Sequence, residues 1–235
     1  MGQPRFDYLF IDFYGTVTSG DRQAVEDTSR RVVEELGVEM TAADFSVAWG
    51  KRFFAEADHR NHDRFANLAA IERDSLCATL EALGFKNVDP QPYITHLQSY
   101  WRNPALQPDA KEALAAIDLP ICCVSNADTD DLLSAIEGHG LHFEQVISSE
   151  DVRCYKPDPH IFERALAAVG TTADRVIHAG DSLHADVGGA APLGITTAWI
   201  CRDGRIYDVG CAKPDHNLSS LMELRDIIRQ KGPET

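Results

Sequence analysis

The chain has 235 residues, 44% of them hydrophobic and 25% charged, with 37 acidic against 22 basic side chains and a formal charge of −15. That composition belongs to a globular protein with one large core, or a core plus an inserted domain. So acidic a surface repels phosphate backbones and anionic lipid, which leaves nucleic acid and membranes outside its expected partners.

The first element is the apolar run Tyr8-Leu9-Phe10-Ile11, which ends on Asp12 and turns at Gly15. It predicts a buried strand with a carboxylate at its end. From there to about residue 104 the apolar spacing is helical. Val25, Val32, Val33 and Leu36 share one face of a helix closed by Gly37. Thr41 opens a second, carrying Phe45, Trp49, Phe53 and Phe54. Leu68, Ile71, Leu76, Leu80 and Leu83 mark a third that stops at Gly84, and Tyr93, Leu97, Tyr100 and Trp101 mark a fourth before Pro104. No strand-like alternation interrupts this stretch.

Beyond residue 105, strand and helix patterns alternate, as in a parallel sheet with crossover helices. Strands are predicted over 121–124, 145–148, 175–179 and 196–200. Helices are predicted over 109–117, 130–139, 160–169, 185–193 and 218–230, ahead of a polar tail expected to fray. The expected fold is α/β: a Rossmann-like parallel sheet core from 1–17 and 105–235, with an α-helical cap, 18–104, inserted after the first strand.

The six cysteines, Cys77, Cys122, Cys123, Cys154, Cys201 and Cys211, form no Cys-x-x-Cys pair and no cluster with zinc-like spacing. Reduced thiols in a cytoplasmic protein are the expectation. No apolar run is long enough for a signal peptide or a membrane-spanning helix.

Four segments carry candidate chemistry. Asp12 sits at the carboxyl end of a predicted strand, the usual edge for chemistry in a parallel sheet, beside a turn running to Thr16. Ser125 and Asn126 end another apolar strand. Lys156 stands in Lys-Pro-Asp-Pro, where its charge keeps a neighbouring carboxylate ionised and offsets charge in a transition state. Asp181 and Asp186 stand in Gly-Asp-Ser-x-x-x-Asp, a further strand-to-helix junction whose hard oxygen ligands suit Mg²⁺. Taken singly, these groups also read as helix caps or solvated charges. Lys51, Arg52, His59 and Arg60 form a basic stretch, either a solvated helix face or a contact for an anionic substrate. His184 is a candidate second base on a helix surface.

The order and spacing of these four segments, over nearly the whole chain, resemble the signature of the haloacid dehalogenase superfamily of hydrolases. The resemblance implies Asp12 as covalent nucleophile, Ser125 and Lys156 as stabilisers of the transferring group, and Thr16, Asn126 and Arg52 as substrate contacts. It also implies Mg²⁺ held by Asp12, Asp181, Asp186 and the backbone carbonyl of Tyr14. Tyr14 is a departure, because superfamily phosphatases place there an Asp that protonates the leaving group. A phenol with an ordinary pKa near ~10 is a poor base at neutral pH. The run Asp-x-Tyr-Gly-Thr resembles the carbon–halogen hydrolases, whose halide leaves without a proton.

Two other places point the opposite way. The fourth segment has the metal-binding phosphatase form rather than Ser-Ser-Asn-x-x-Asp. The Arg that dehalogenases place after a cap Trp is Gly50 here, and Arg52, about 200° further around a helix of ~3.6 residues per turn, does not simply replace it. The leading expectation is therefore Mg²⁺-dependent hydrolysis of a small anionic phosphorylated metabolite. The alternative is a 2-haloacid dehalogenase-type hydrolase acting at carbon. A non-enzymatic ligand- or partner-binding derivative is a further alternative.

Overall fold

The computed structural model describes residues 5–202 and 212–229. Cys211, Gln230 and the polar tail lie outside the described residues.

Six strands form one parallel sheet: β1 (Tyr8–Ile11), β4 (Ile121–Ser125), β5 (Gln145–Ser148), β6 (Val176–Gly180), β7 (Thr196–Ile200) and β8 (His216–Leu218), in the order β5-β4-β1-β6-β7-β8. β1 lies in the middle, with Leu9 opposite Ile121 on one side and Ile177 on the other. Strands covered on both faces read as continuous apolar runs, and β4 and β6 are buried along their whole length. Two apolar clusters cover the two faces. One includes Leu9, Ile11, Phe13 and Ile177, and the other includes Phe10, Val124, Phe162 and Val176. Chain order reverses at β1, whose neighbours β4 and β6 run outward in opposite directions, so the crevice at their carboxyl ends is the natural site for chemistry.

Four helices fall between the short strands β2 (Thr18–Ser19) and β3 (Ala105–Leu106): α1 (Asp21–Leu36), α2 (Ala42–His59), α3 (Leu68–Ala82) and α4 (Gln91–Trp101). Each begins or ends as its sequence dictates. Gly37 closes α1 with a left-handed φ of 65°, and the side chains of Thr41 and Asn67 cap α2 and α3. They pack on their own core of Val32, Phe45, Trp49, Leu76, Leu80 and Leu97.

The remaining helices flank the sheet: α5 (Ala110–Ala115), α6 (Thr129–Gly138), α7 (Ser149–Val152), α8 (Pro159–Val169), α9 (Gly188–Ala190) and α10 (Leu224–Ile228). Three local expectations are corrected. The stretch after Val17 is not wholly helical, because β2 pairs antiparallel with β3 to form a two-stranded neck under the helices. Leu218 belongs to strand β8, and the terminal helix starts six residues later. The helix expected over 185–193 is a π-helical turn, Leu183–Val187, followed by α9 and a 3₁₀ turn.

Candidate active site

The carboxyl ends of β1, β4 and β6 bring Asp12, Ser125 and Asp181 to one edge of the sheet, as their positions in the strand patterns require. The loop before α8 adds Lys156, and the π-helical turn adds Asp186.

Lys156 is at the centre of the cluster. Its Nζ donates to Asp12 Oδ1 at 2.7 Å, to Asp186 Oδ1 at 2.7 Å and to the Val124 carbonyl at 2.9 Å, which uses all three ammonium donors. All three charged groups are buried. Thr16 Oγ1 lies 3.0 Å from Asp12 Oδ2 and 3.4 Å from Asp181 Oδ1, and Ser125 Oγ donates to Asp12 Oδ1 at 3.3 Å. Asp186 also accepts from His178 Nε2 at 3.0 Å and, through Oδ2, from the Ser182 backbone N–H at 3.0 Å. A carboxylate only accepts, so the His178 ring carries its proton on Nε2.

These partners divide the charge unequally. Burial pushes both carboxyls up, but at Asp186 the Lys156 ammonium and His178 outweigh it and hold the acid well below the usual carboxylate range. At Asp12 burial wins over Lys156, with the Asp186 charge adding to it, and the carboxyl is raised. The two carboxylates hold Lys156 firmly protonated against its own burial. Asp12 is thus the more easily protonated acid of the pair.

Two glycines make the approach possible. Gly15 has a φ of +82°, and a Cβ there would lie 2.9 Å from the Asp181 carboxylate oxygens. A Cβ on Gly180 would lie 2.1 Å from Asp186 Cγ. Only glycine allows both acids to fold back onto the strand ends.

Three expected substrate contacts have other roles in this structure. Asn126 forms a pair of hydrogen bonds with the backbone of Lys156, donating to its carbonyl at 3.0 Å and accepting its N–H at 2.7 Å, so it fixes the lysine. Thr16 holds Asp12. Arg52 is exposed on α2 and lines a shallow outer groove with Asp44, Val47 and Lys51. Phe45 and Trp49 take the buried positions of that helix, and the long arginine side chain stays in water. Arg60, from the same basic stretch, pairs with Glu56 and Asp74. His184 is exposed, 3.9 Å from Asp58.

Tyr14 faces the helices rather than the acids. Its hydroxyl donates to the Trp101 carbonyl at 2.8 Å, and its ring meets those of Phe13 and Trp101 edge-on at 5.2 Å each. Burial, followed by the charge of Asp131, raises the phenol far above its ordinary value. The helices reach the site through α3 as well: the Leu68 and Ala69 N–H groups donate to Asp128, after β4, at 2.6 and 3.0 Å. Tyr155, beside Lys156, stacks on Phe65 and donates to the Ala66 carbonyl. Trp101 and Glu72, whose carboxylate accepts the Trp101 indole N–H at 2.8 Å, were not legible as site neighbours in sequence. Trp101 shows there only as part of a helical apolar spacing, and Glu72 falls outside that pattern.

Asp12, Asp181 and Asp186 each offer an oxygen within 4.8 Å of the others, the one such group among the described residues. The donor chemistry fits a hard cation such as Mg²⁺. Asp186 is bonded to Lys156, His178 and Ser182, and Asp12 to Lys156, Thr16 and Ser125, with Asp181 beside Thr16 completing the group.

A family model described as haloacid dehalogenase-like hydrolase matches residues 6–194. (S)-2-haloacid dehalogenase 4A of Burkholderia cepacia is 25% identical over 93% of this chain and 93% of its own. A phosphoserine phosphatase of Thermus thermophilus is 33% identical, over 51% of this chain and 49% of its own. Among solved structures, the L-2-haloacid dehalogenase of Xanthobacter autotrophicus superposes with a TM-score of 0.78 at 23% identity, covering 97% of this chain and all of that one.

Proposed function

The chain belongs to the haloacid dehalogenase-like hydrolases, and within that family we propose that it is a 2-haloacid dehalogenase-type hydrolase, breaking a bond at carbon in a small anionic substrate. The observation that carries this reading is the commitment of the Tyr14 hydroxyl to Trp101, with its phenol raised by burial. At the place where a phosphatase needs an acid for its leaving alkoxide, this chain has a group that neither gives nor takes a proton. A halide leaves without one. Most of the relatives that match along two thirds or more of the chain are named as haloacid dehalogenases, and one as a ribulose-1,5-bisphosphate 5-phosphatase, a balance that supports the same order of preference.

In this reading residues 18–104 form a cap over the sheet edge. Asp12, ionised beside Lys156, attacks the carbon that bears the halogen; the carbon–halogen bond breaks and the halide departs with its electron pair. Lys156 and Ser125 stay with the aspartyl oxygens and stabilise the charge that builds on them when water attacks the ester at Asp12 Cγ. Asp181, half-buried beside Thr16, takes the proton of that water. The ester C–O bond then breaks, the departing alkoxide takes that proton back from Asp181 and leaves as the hydroxy product, and the second proton of the water goes to solvent as Asp12 is restored as carboxylate.

A second reading, Mg²⁺-dependent phosphate hydrolysis, is favoured by the Asp12, Asp181 and Asp186 group. Asp12, Asp181 and the Tyr14 carbonyl would hold the ion, which would supply charge neutralisation for a phosphoryl group. One panel separates the two: 2-chloropropionate and small phosphomonoesters, each with Mg²⁺ or with EDTA. Halide release indifferent to EDTA is the expected result. Phosphate release that requires Mg²⁺, with no halide from any haloacid, reverses the assignment.

A further inference from the structure

Glu72 is a buried acid that the proposed chemistry does not use. It lies on α3 with 4% of its surface exposed. It stands four positions after Leu68, so the two share a helix face, and the Leu68 N–H is bonded to Asp128 after β4. Glu72 Oε1 accepts the Trp101 indole N–H, while Oε2 has no hydrogen-bond partner among the described residues. Trp101 passes the contact on, through its carbonyl and ring, to Tyr14, two residues from the nucleophile.

The charges around Glu72 do nothing to keep it ionised. Asp128 and Asp131 face it from the sheet side. Arg102, next to Trp101, turns to Asp131 at 3.6 Å, and Arg60 is paired with Glu56 and Asp74. Tyr155, which also faces Glu72, gives its hydroxyl to the Ala66 carbonyl. A carboxylate here would bury one oxygen with no donor among like charges, whereas a neutral acid avoids most of that cost. Burial, against the Trp101 N–H and with help from Asp128 and Asp131, pushes the group up to about 8.

We infer that Glu72 is a positioning residue that works as an uncharged acid: with its proton on, it seats Trp101 against Tyr14 and lets the cap close over Asp12, and without it the closed cap is disfavoured. The inference rests on residues 18–104 acting as a cap, and not on which bond the enzyme breaks. Opening the interface returns Glu72 to water and to its ordinary 4.5. Between 4.5 and about 8, closing takes up a proton, so each pH unit there tilts the closed-to-open ratio up to tenfold toward open. Below and above that window the dependence is flat.

The test needs no substrate, so it stands apart from the dehalogenase reading. Infrared spectra of the wild-type protein at pH 7 should show a protonated-carboxyl band that fades through pH about 8 and is missing in Glu72→Gln. Tryptophan emission should titrate over the same window in wild type, lose that change in Trp101→Phe, and stay flat in Glu72→Gln, whose amide oxygen still accepts the indole N–H. With an active substrate, kcat/KM should fall with rising pH in wild type by up to ~10-fold per unit and flatten in Glu72→Gln. A wild-type protein without the band at pH 7 overturns the proposal whether or not the variants fold. A Glu72→Gln protein that titrates as wild type does also overturns it.

Discussion

The Tyr14 hydroxyl donates to the carbonyl oxygen of Trp101 at 2.8 Å, across 87 positions of sequence. Trp101 is the last residue of α4, where helix carbonyls lack partners within the helix. The phenol therefore closes a helix end and ties the turn after Asp12 to the helical layer. That role is mechanical and needs no proton transfer.

Replacing this tyrosine should accordingly be mild for chemistry. Tyr14→Phe keeps the edge-on ring contacts and loses one hydrogen bond, a cost of about 0.5–1.5 kcal/mol in stability. Halide release should stay within ~10-fold of wild type. A loss of ~10²–10⁴, the scale of a missing general acid or base, would put the phenol in the reaction after all. Chemical denaturation and steady-state halide assays read both quantities.

Asp12→Asn should fold and lose at least ~10³-fold in rate, the scale of removing a covalent nucleophile. The sharper check is isotopic. In a single turnover of wild type in heavy-oxygen water, the label should appear in the Asp12 carboxyl and not in the product, because water attacks Cγ. Label found directly in the product, with an unlabelled Asp12, means that water attacks the substrate itself and that the ester does not form.

Lys156 sets the pH behaviour of the cluster. Asp186 is held low in the folded state, so its contribution to stability is present above the ordinary value of 3.8 and is lost as pH falls through the folded value. Asp12 is shifted the other way and works against it: its contribution shrinks as pH rises past 3.8. Lys156→Met leaves two buried carboxylates without their cation at neutral pH, which costs about 3–5 kcal/mol by the usual scale for a broken buried pair. The deficit should shrink as pH is lowered from ~7.5 toward ~5, because the abandoned acids then bind protons. Urea melts of both proteins at the two pH values measure it. A deficit that is the same at both would show that the acids are already neutral in the folded protein.

Much of this was legible in the sequence, for definite reasons. The buried strands β4 and β6, and β7 beyond its first residue, are largely apolar runs bounded by turns, and α1 to α4 carry clear helical spacing. Asp12, Ser125, Lys156, Asp181 and Asp186 were legible because chemistry at strand ends follows from topology. What was missed depends on tertiary pairing. β2 and β3 are two residues each and exist only through each other. β8, His216–Leu218, has too few residues to show a period. Asn126 and Thr16 look in sequence like ligand contacts, and only coordinates show their hydrogen bonds turned inward to Lys156 and Asp12. Arg52 was chosen by residue type on a helix whose buried face belongs to Phe45 and Trp49. The leading expectation of a phosphatase rested on the acids of the fourth segment; the carbon-acting reading proposed above draws its support from the geometry of Tyr14 and from relatives named as dehalogenases.

Asp181 separates the two readings most cleanly. If it takes the proton of the hydrolytic water, Asp181→Asn still lets Asp12 attack and the halide leave, but the ester then stands. Rapid mixing should show one equivalent of halide released per active site, followed by a steady rate lower by ~10²–10⁴. Mass spectrometry of the quenched protein should find Asp12 carrying the alkyl group. Neither the burst nor the steady rate should respond to Mg²⁺ or EDTA, and Thr16, which touches both acids, should keep the fold intact. If Asp181 is instead a metal ligand, the variant shows no burst with any haloacid, and calorimetry shows Mg²⁺ binding to wild type that the substitution abolishes. A burst without metal dependence fits only the carbon-acting enzyme, because a phosphatase that has lost its metal ligand has no halide to release.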